Sequence, residues 1–258
     1  MKHPASGAAP AGATDEQSAS RAVQSMFNQI APRYDLLNHV LSANVDRLWW
    51  RRTARVFAHI LQRPDATVVD LCCGTGDMTL ALLRHRPANG NPVLAIDFAH
   101  AMLIRAEEKF SAAQFADRRP IIIEADALHM PLLDNTVDLI TTAFGFRNLA
   151  NYTAGLREIH RVLCPGAELG ILDFSEPQGP LGSLYEFYFR RILPRVGKLL
   201  SGPTGQSGAA PYAYLPHSVH RFPEPEEMLE MMRDCGFDHA TWTPYTFGIA
   251  GLYRAVKA

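Results

Sequence analysis

The 258-residue chain is 47% hydrophobic and 20% charged with a formal charge of -1, enough apolar material for one sizeable core and no net positive field to draw in nucleic acid. Its four cysteines, Cys72, Cys73, Cys164 and Cys235, form neither a CxxC pair nor a Cys/His cluster with zinc spacing, which argues against a structural metal and for a reducing compartment. No run approaches the ~20 apolar residues of a membrane span, so a cytoplasmic protein is expected.

Residues 1–20 are rich in Ala, Gly, Ser and Pro and read as a disordered tail. From 21 to 62 the pattern is helical: Val23, Met26, Phe27 and Ile30 recur at steps of three and four. After a break at Ala31 and Pro32, a second run carries Leu48, Trp49, Thr53 and Phe57, and the whole is expected to form an N-terminal helical cap. Strand candidates follow at Thr67 to Leu71, Val93 to Ile96, Pro120 to Ile123, Val137 to Ala143 and Leu169 to Phe174, separated by helices at Met78 to Arg86, Ala99 to Phe110 and Tyr152 to Leu163. The stretch 175–222 breaks the alternation and is expected to be a lid insertion, with an aromatic and basic helix, LYEFYFRRILPRVGKLL, and a loop, SGPTGQSGAAP. A helix from Glu226 to Cys235 and strands at Ala240 to Tyr245 and Ile249 to Val256 close the chain. Seven strand candidates, most of them alternating with helices, predict one α/β domain over residues 21–258, a doubly wound, mostly parallel Rossmann-like sheet.

Ligands of such sheets sit beyond the carboxyl ends of the strands. Four consecutive ends carry polar or glycine-rich chemistry: Asp70 to Gly76, Asp97, Glu124 to Ala127, and Phe144 to Asn148. The first, DLCCGTGD, joins a strand to a helix, and Gly74 and Gly76 let backbone approach a ligand without Cβ obstruction. Asp97, about 20 residues on, is placed to accept both hydroxyl protons of a ribose, or alternatively to cap the helix that follows. A dinucleotide turn wants a third glycine where Thr79 stands, and a pyrophosphate is repelled by acids such as Asp70 and Asp77. An ammonium and a sulfonium are favoured by them. The reading is therefore S-adenosylmethionine, with Asp126 accepting from the adenine amino group and the Ala127 amide facing a ring nitrogen, ahead of an NAD-linked oxidoreductase.

Four separated segments, MFNQIAPRYDLLNHVLS with Trp49, DLCCGTGD, DNTVDLITTAFGFRN and RVLCPGAELGILDFS, make the chain resemble the ubiquinone/menaquinone biosynthesis C-methyltransferases, class I methyltransferases dependent on S-adenosylmethionine. In the first signature Tyr34, Asp35, Asn38, Leu41, Ser42 and Trp49 match, with Leu37 for Met and Asp46 for His; in the last, Cys164 replaces Lys, Ala167 replaces Gly and Asp173 replaces Glu. The resemblance implies cofactor positions at Thr75, Asp97, Asp126 and Ala127, a backbone or packing contact at Ala143, and a substrate-facing loop at FGFRN. It also implies C-methylation of a demethylated quinol ring.

A ring carbon attacks a methyl group well only when an adjacent hydroxyl is ionised, and a nearby cation favours that ionisation. Arg147 is the candidate cation and Asn148 the group that orients the ring oxygen; the alternative is a structural pairing of Arg147 with a carboxylate such as Asp138. Tyr34 and Asp35 are read as closing over the ring, or as packing at a helix terminus. A polyprenylated quinol is a bilayer lipid, so residues 184–200, with Tyr185, Phe187, Tyr188 and Phe189 beside Arg190, Arg191, Arg195 and Lys198, read either as a peripheral membrane contact or as a lid helix over the pocket. No metal is expected; His217 and His220 lack a third ligand, and Met228, Met231 and Met232 read as core. Rival readings are a methyltransferase for another small phenolic or lipid acceptor and a non-catalytic binding partner. Demethylmenaquinol is preferred over a benzoquinol precursor of ubiquinone, and the oligomeric state stays open, a homodimer included.

Overall fold

The computed structural model describes residues 7–10, 12–35, 44–112, 118–175 and 210–258. Helix α1, Glu16–Ile30, starts inside the stretch expected to be a disordered tail. The reason is local: the Asp15 carboxylate accepts from the Ser18 amide at 2.7 Å while the Ser18 hydroxyl accepts from the Asp15 amide at 3.1 Å, a reciprocal cap that satisfies amides the helix leaves open. Upstream of it, the Ala8 amide donates to the Leu149 carbonyl at 2.8 Å, tying the segment to the rim of the sheet.

Helices α2, Asp46–Val56, and α3, Ala58–Leu61, precede an alternation of β1, Val68–Leu71, α4, Asp77–Leu83, β2, Val93–Asp97, α5, His100–Ala112, β3, Ile121–Glu124, and β4, Val137–Ala143. Helix α6, Tyr152–Val162, runs directly into β5, Leu163–Phe174. Helices α7, Ala210–Arg221, and α8, Pro225–Asp234, then lead to β6, Phe237–Tyr245, and β7, Ala250–Lys257. The strands form one sheet in the order β3-β2-β1-β4-β5-β7-β6, parallel except for β7, which runs against both neighbours. β1 is buried at every position, as apolar strands covered on both faces must be, whereas Ile121 on the edge strand β3 is half exposed.

Two layers of helices bury the two faces. On one, Tyr152, Leu156 and Ile159 of α6 meet Phe237 and Tyr253. On the other, Trp49, Phe57 and Leu61 meet Leu82 and Leu252. A Cβ at Gly170 of β5 would stand 2.5 Å from the Phe57 ring, so the missing side chain is the seat of that ring. Helices α2 and α3, expected to belong to the N-terminal cap, are thus part of the sandwich, and among the described residues of that cap Ser20 and Phe27 of α1 and Tyr34 reach the cavity at the strand ends. β5 starts earlier than expected because Pro165 and Gly166 are absorbed where its register against Val137 and Leu139 shifts. Helix α7 occupies residues expected to belong to the lid; the rest of that segment, including residues 184–200, and the signature residues Leu37, Asn38, Leu41 and Ser42 lie outside the described residues. Among the described residues no helix is long and apolar enough to cross a membrane, and no three His, Cys, Asp or Glu cluster to hold a metal.

Candidate active site

The register of the parallel strands brings their carboxyl ends level, Leu71 beside Ile96, Asp97 beside Glu124 and Ala143 beside Leu172, and a cavity opens above them. Gly74 bends through φ +55°, and a Cβ there would find only the Tyr34 ring, at 3.9 Å, so the turn presents bare backbone to the cavity. Its amide donates to Asp97 Oδ2 at 2.8 Å, and the Ala99 amide donates to Oδ1 at 2.9 Å. Asp97 therefore caps the next helix, the alternative that its sequence position offered, and also lines the cavity. Burial pushes its carboxyl up to about 6, against the pull of the Ala99, Gly74 and Phe98 amides. Asp126 and Ala127 line the same wall, the Asp126 carboxylate held by the Leu128 amide at 2.9 Å.

The other residues of the glycine turn are placed differently from expectation. Asp70 is fully buried and does not line the cavity; its Oδ2 accepts from the Thr79 hydroxyl at 2.5 Å, its Oδ1 has no hydrogen-bond partner, and burial lifts its pKa to about 7. Gly76, at φ +86°, starts α4 in a spot where a Cβ would meet the Phe110 ring at 2.4 Å, so packing alone already requires a glycine there. The Thr75 hydroxyl donates to Asp35 Oδ1 at 2.5 Å and accepts from Lys109 Nζ at 3.1 Å, while Lys109 also pairs with Asp35 at 2.9 Å and Asp77 at 3.0 Å. Asp77 is thus neutralised, and the acids facing the cavity are Asp97 and Asp126. Its described lining contains no Lys or Arg.

Ala143, Phe144, Gly145 and Asn148 form the opposite wall, with Tyr34 above them. A Cβ on Gly145 would come within 2.3 Å of Cys72 Cβ, so this loop rests directly on the glycine turn. The rings of Phe144, Phe174 and Trp49 cluster behind the wall, Phe144 and Phe174 at 4.5 Å. Arg147 sits behind Asn148, almost fully buried, and pairs through Nη1 with Asp173 Oδ1 at 2.7 Å; its amide donates to Asp173 Oδ2 at 3.1 Å. The expected structural partner Asp138 lies at the far end of β4, bound to Arg63 at 3.0 Å and to the Thr67 amide. Burial, the largest single influence, would weaken the Arg147 cation, but Asp173 together with Tyr34 and Tyr214 raises the guanidinium pKa on balance, so Arg147 stays charged and is no base. Arg147 Nε and Asn148 Oδ1 are buried without hydrogen-bond partners, Asn148 on the cavity wall and Arg147 behind it. Sequence reading missed Asp173, the aromatic cluster and Lys109; only Asp173 had a visible signal, its place in the DFS tripeptide.

The ubiE/COQ5 methyltransferase family model matches residues 14–257. The demethylmenaquinone methyltransferase of Deinococcus radiodurans is 44% identical over 244 residues, covering 94% of this chain and 95% of the relative, and that of Thermus thermophilus is 44% identical over 229 residues, covering 88% and 98%. The ubiquinone/menaquinone biosynthesis C-methyltransferase of Geobacter sulfurreducens is 39% identical, covering 91% and 88%. Among solved structures, the [4+2]-cyclase SpnF matches with a TM-score of 0.66 at 15% identity over 98% of each chain, and a SAM-dependent methyltransferase of Aquifex aeolicus with 0.56 at 21% identity, covering 80% and 89%. A cyclase and a methyltransferase on one scaffold show that the fold alone does not set the reaction. The sequence relatives carry the assignment instead: over nearly its whole length, this chain belongs to the ubiE/COQ5 methyltransferase family.

Proposed function

We infer that the chain transfers a methyl group from S-adenosylmethionine to a ring carbon of demethylmenaquinol. The observation that carries the donor is the sign of the cavity: two carboxylates, a bare glycine backbone and no described Lys or Arg suit a nucleoside bearing a cation and oppose a pyrophosphate. The residues fit that donor. Both Asp97 oxygens are fixed by amides yet keep lone pairs for ribose hydroxyls, and the open side of Gly74 leaves room for the methionine moiety. When bound, the donor supplies an electrophilic methyl group.

The chain supplies the rest by position and field. Asn148, on the wall with an unpartnered Oδ1, orients a ring hydroxyl; the charge of Arg147 behind it is balanced by Asp173, but its unpartnered Nε–H is a donor that favours the ionised ring oxygen and thereby electron density on the adjacent carbon. Asp173 has both oxygens occupied by Arg147 and the Phe174 amide, so it fixes the guanidinium in place. Tyr34 and the Phe144 wall exclude water from between donor and acceptor.

The naphthoquinol is favoured by the printed activities of the two relatives at 44% identity; a 2-polyprenyl-methoxy-benzoquinol is the second reading, supported by the family's Geobacter member. A polyprenylated acceptor implies work at the surface of the inner membrane from the cytoplasmic side. Incubation with methyl-labelled S-adenosylmethionine and each reduced acceptor, followed by mass spectrometry of the quinones, decides. Label in menaquinol is expected; label in the benzoquinol alone selects the second reading, and label in neither rejects both.

A further inference from the structure

Helix α2 presents Arg47, Leu48, Arg51, Arg52 and Arg55 to solvent. Steps of four place Arg47, Arg51 and Arg55 in one stripe, with Leu48 and Arg52 flanking it. Asp46, the helix's one acid, is buried on the inner side, while the arginines of the stripe are exposed. Arg52 lies over the Tyr245 ring at 4.2 Å, and Arg55 with Arg84 forms a positive foot that, added to burial, lowers the His85 pKa.

The inner side of the same helix is bolted to a second feature. The Trp49 indole donates to Thr246 Oγ1 at 2.8 Å, and Thr246, Phe247 and Gly248 take φ of +44°, +57° and +86° in succession. A left-handed aromatic is a strained choice for a turn. Here the strain points a ring outward: Phe247 is 79% exposed and Leu48 61%. Both belong to the rim that carries the cavity, because the turn precedes β7 where Ala250 pairs with Phe174, and the Ser175 hydroxyl donates to the Gly248 carbonyl at 2.7 Å. The Trp49 ring separates this surface from the Phe144 wall.

We propose that Leu48 and Phe247, flanked by the α2 arginines, dock the protein on an anionic phospholipid bilayer, the two apolar side chains entering the headgroup region and the guanidiniums meeting lipid phosphates. The placement brings the acceptor wall to the surface in which a lipid quinol resides, so the inference deepens the function proposed above. Charge complementarity selects the occupant. A symmetric contact between two copies through this face would set the arginine stripe against itself, whereas an acidic lipid surface supplies counter-charge and apolar depth together.

Vesicle flotation of the full-length protein tests this with phosphatidylglycerol/phosphatidylcholine vesicles and with phosphatidylcholine alone. The wild type is expected on the anionic vesicles only. The double variant Arg47→Glu/Arg51→Glu is expected to lose at least about tenfold in binding, and Phe247→Ser to weaken it without altering its salt dependence. Both variants should methylate a short-tailed, water-soluble quinol at the wild-type rate and lose rate on a long-tailed quinol held in vesicles. Absence of wild-type flotation, equal flotation of the charge-reversed variant, or a change in oligomeric state without a change in flotation would overturn the docking surface. If vesicles fail to bind while the soluble quinol is methylated, this inference falls and the function stands; vesicle binding without methylation of any quinol supports the surface and removes the function.

Discussion

The two walls of the cavity are built by different means. The donor wall is made of backbone: amides of Gly74, Ala99 and Leu128 hold Asp97 and Asp126, all within a few residues of the strand ends that carry them. The acceptor wall is made of side chains brought from afar, Arg147 to Asp173 across two strands and Trp49 to Thr246 across almost the whole chain. A wall of local amides can hold one cofactor geometry on many scaffolds, while a wall of long-range pairs is specific to one acceptor and fails when either partner is changed.

The buried pair is where that difference shows most. Asp173→Ala leaves the Arg147 guanidinium uncompensated and two N–H groups without acceptors, a loss of about 3–5 kcal/mol, or roughly 10 °C or more in Tm by calorimetry. Arg147→Ala strands Asp173 in the same way, so its expected fall in turnover mixes chemistry with stability. The double variant Arg147→Met/Asp173→Leu separates them. With no buried charge left, part of the lost stability is expected to return, short of wild type because the Arg147 and Phe174 amides still lack the acceptor that Asp173 gave them, while methyl transfer stays down by about a hundredfold and donor affinity by calorimetry is unchanged. Wild-type turnover in the double variant would confine the pair to a structural role.

The donor wall is expected to respond to pH instead. In the proposed function Asp97 accepts ribose hydroxyls as a carboxylate, and burial has pushed its pKa up to about 6. Donor affinity should therefore rise as pH increases through 6 and level off above 7, being about tenfold weaker at pH 5 than on the plateau. On stability the sign is reversed. A carboxyl with a raised pKa in the fold costs nothing below the usual carboxylate range and destabilises progressively up to its folded pKa. Glu158, held low by Arg161, behaves oppositely, so binding titrations and not melting curves isolate Asp97. A flat affinity from pH 5 to 7.5 would mean that the acid is not a direct ligand.

The same contrast explains how much the sequence disclosed. The alternation of apolar runs made the seven-stranded sheet legible, and each donor-wall residue sat at a readable strand end. The acids flanking the glycine turn have partners that a linear pattern does not show: Asp70 faces Thr79, and Asp77 pairs with Lys109. Helices α2 and α3 were read as a cap because amphipathic spacing tells that a helix buries one face, not which surface it meets. Gly170, the seat of Phe57, supplied that information only in three dimensions. Arg147 stood out beside Asn148, but its partner could not be picked among many acids without the β4–β5 register.

The latch between the two walls should give the smallest effect. Asp35, next to Tyr34, joins Thr75 and Lys109 at the back of the glycine turn, with Asp77 on the other side of the ammonium. These side chains are 22–36% exposed, so the pairs are partly screened and each contributes about 1 kcal/mol or less. Asp35→Asn or Lys109→Met is expected to lower Tm only slightly. Because the latch holds Tyr34 over Gly74, the same loss should appear in donor affinity as a change of roughly fivefold at low salt. Raising the ionic strength should bring the wild type toward the variants, since screening already removes part of what the substitutions delete. If donor affinity measured by calorimetry is the same in wild type and variants at low salt, Asp35 merely packs the end of its helix, and closure over the donor wall must come from the acceptor side.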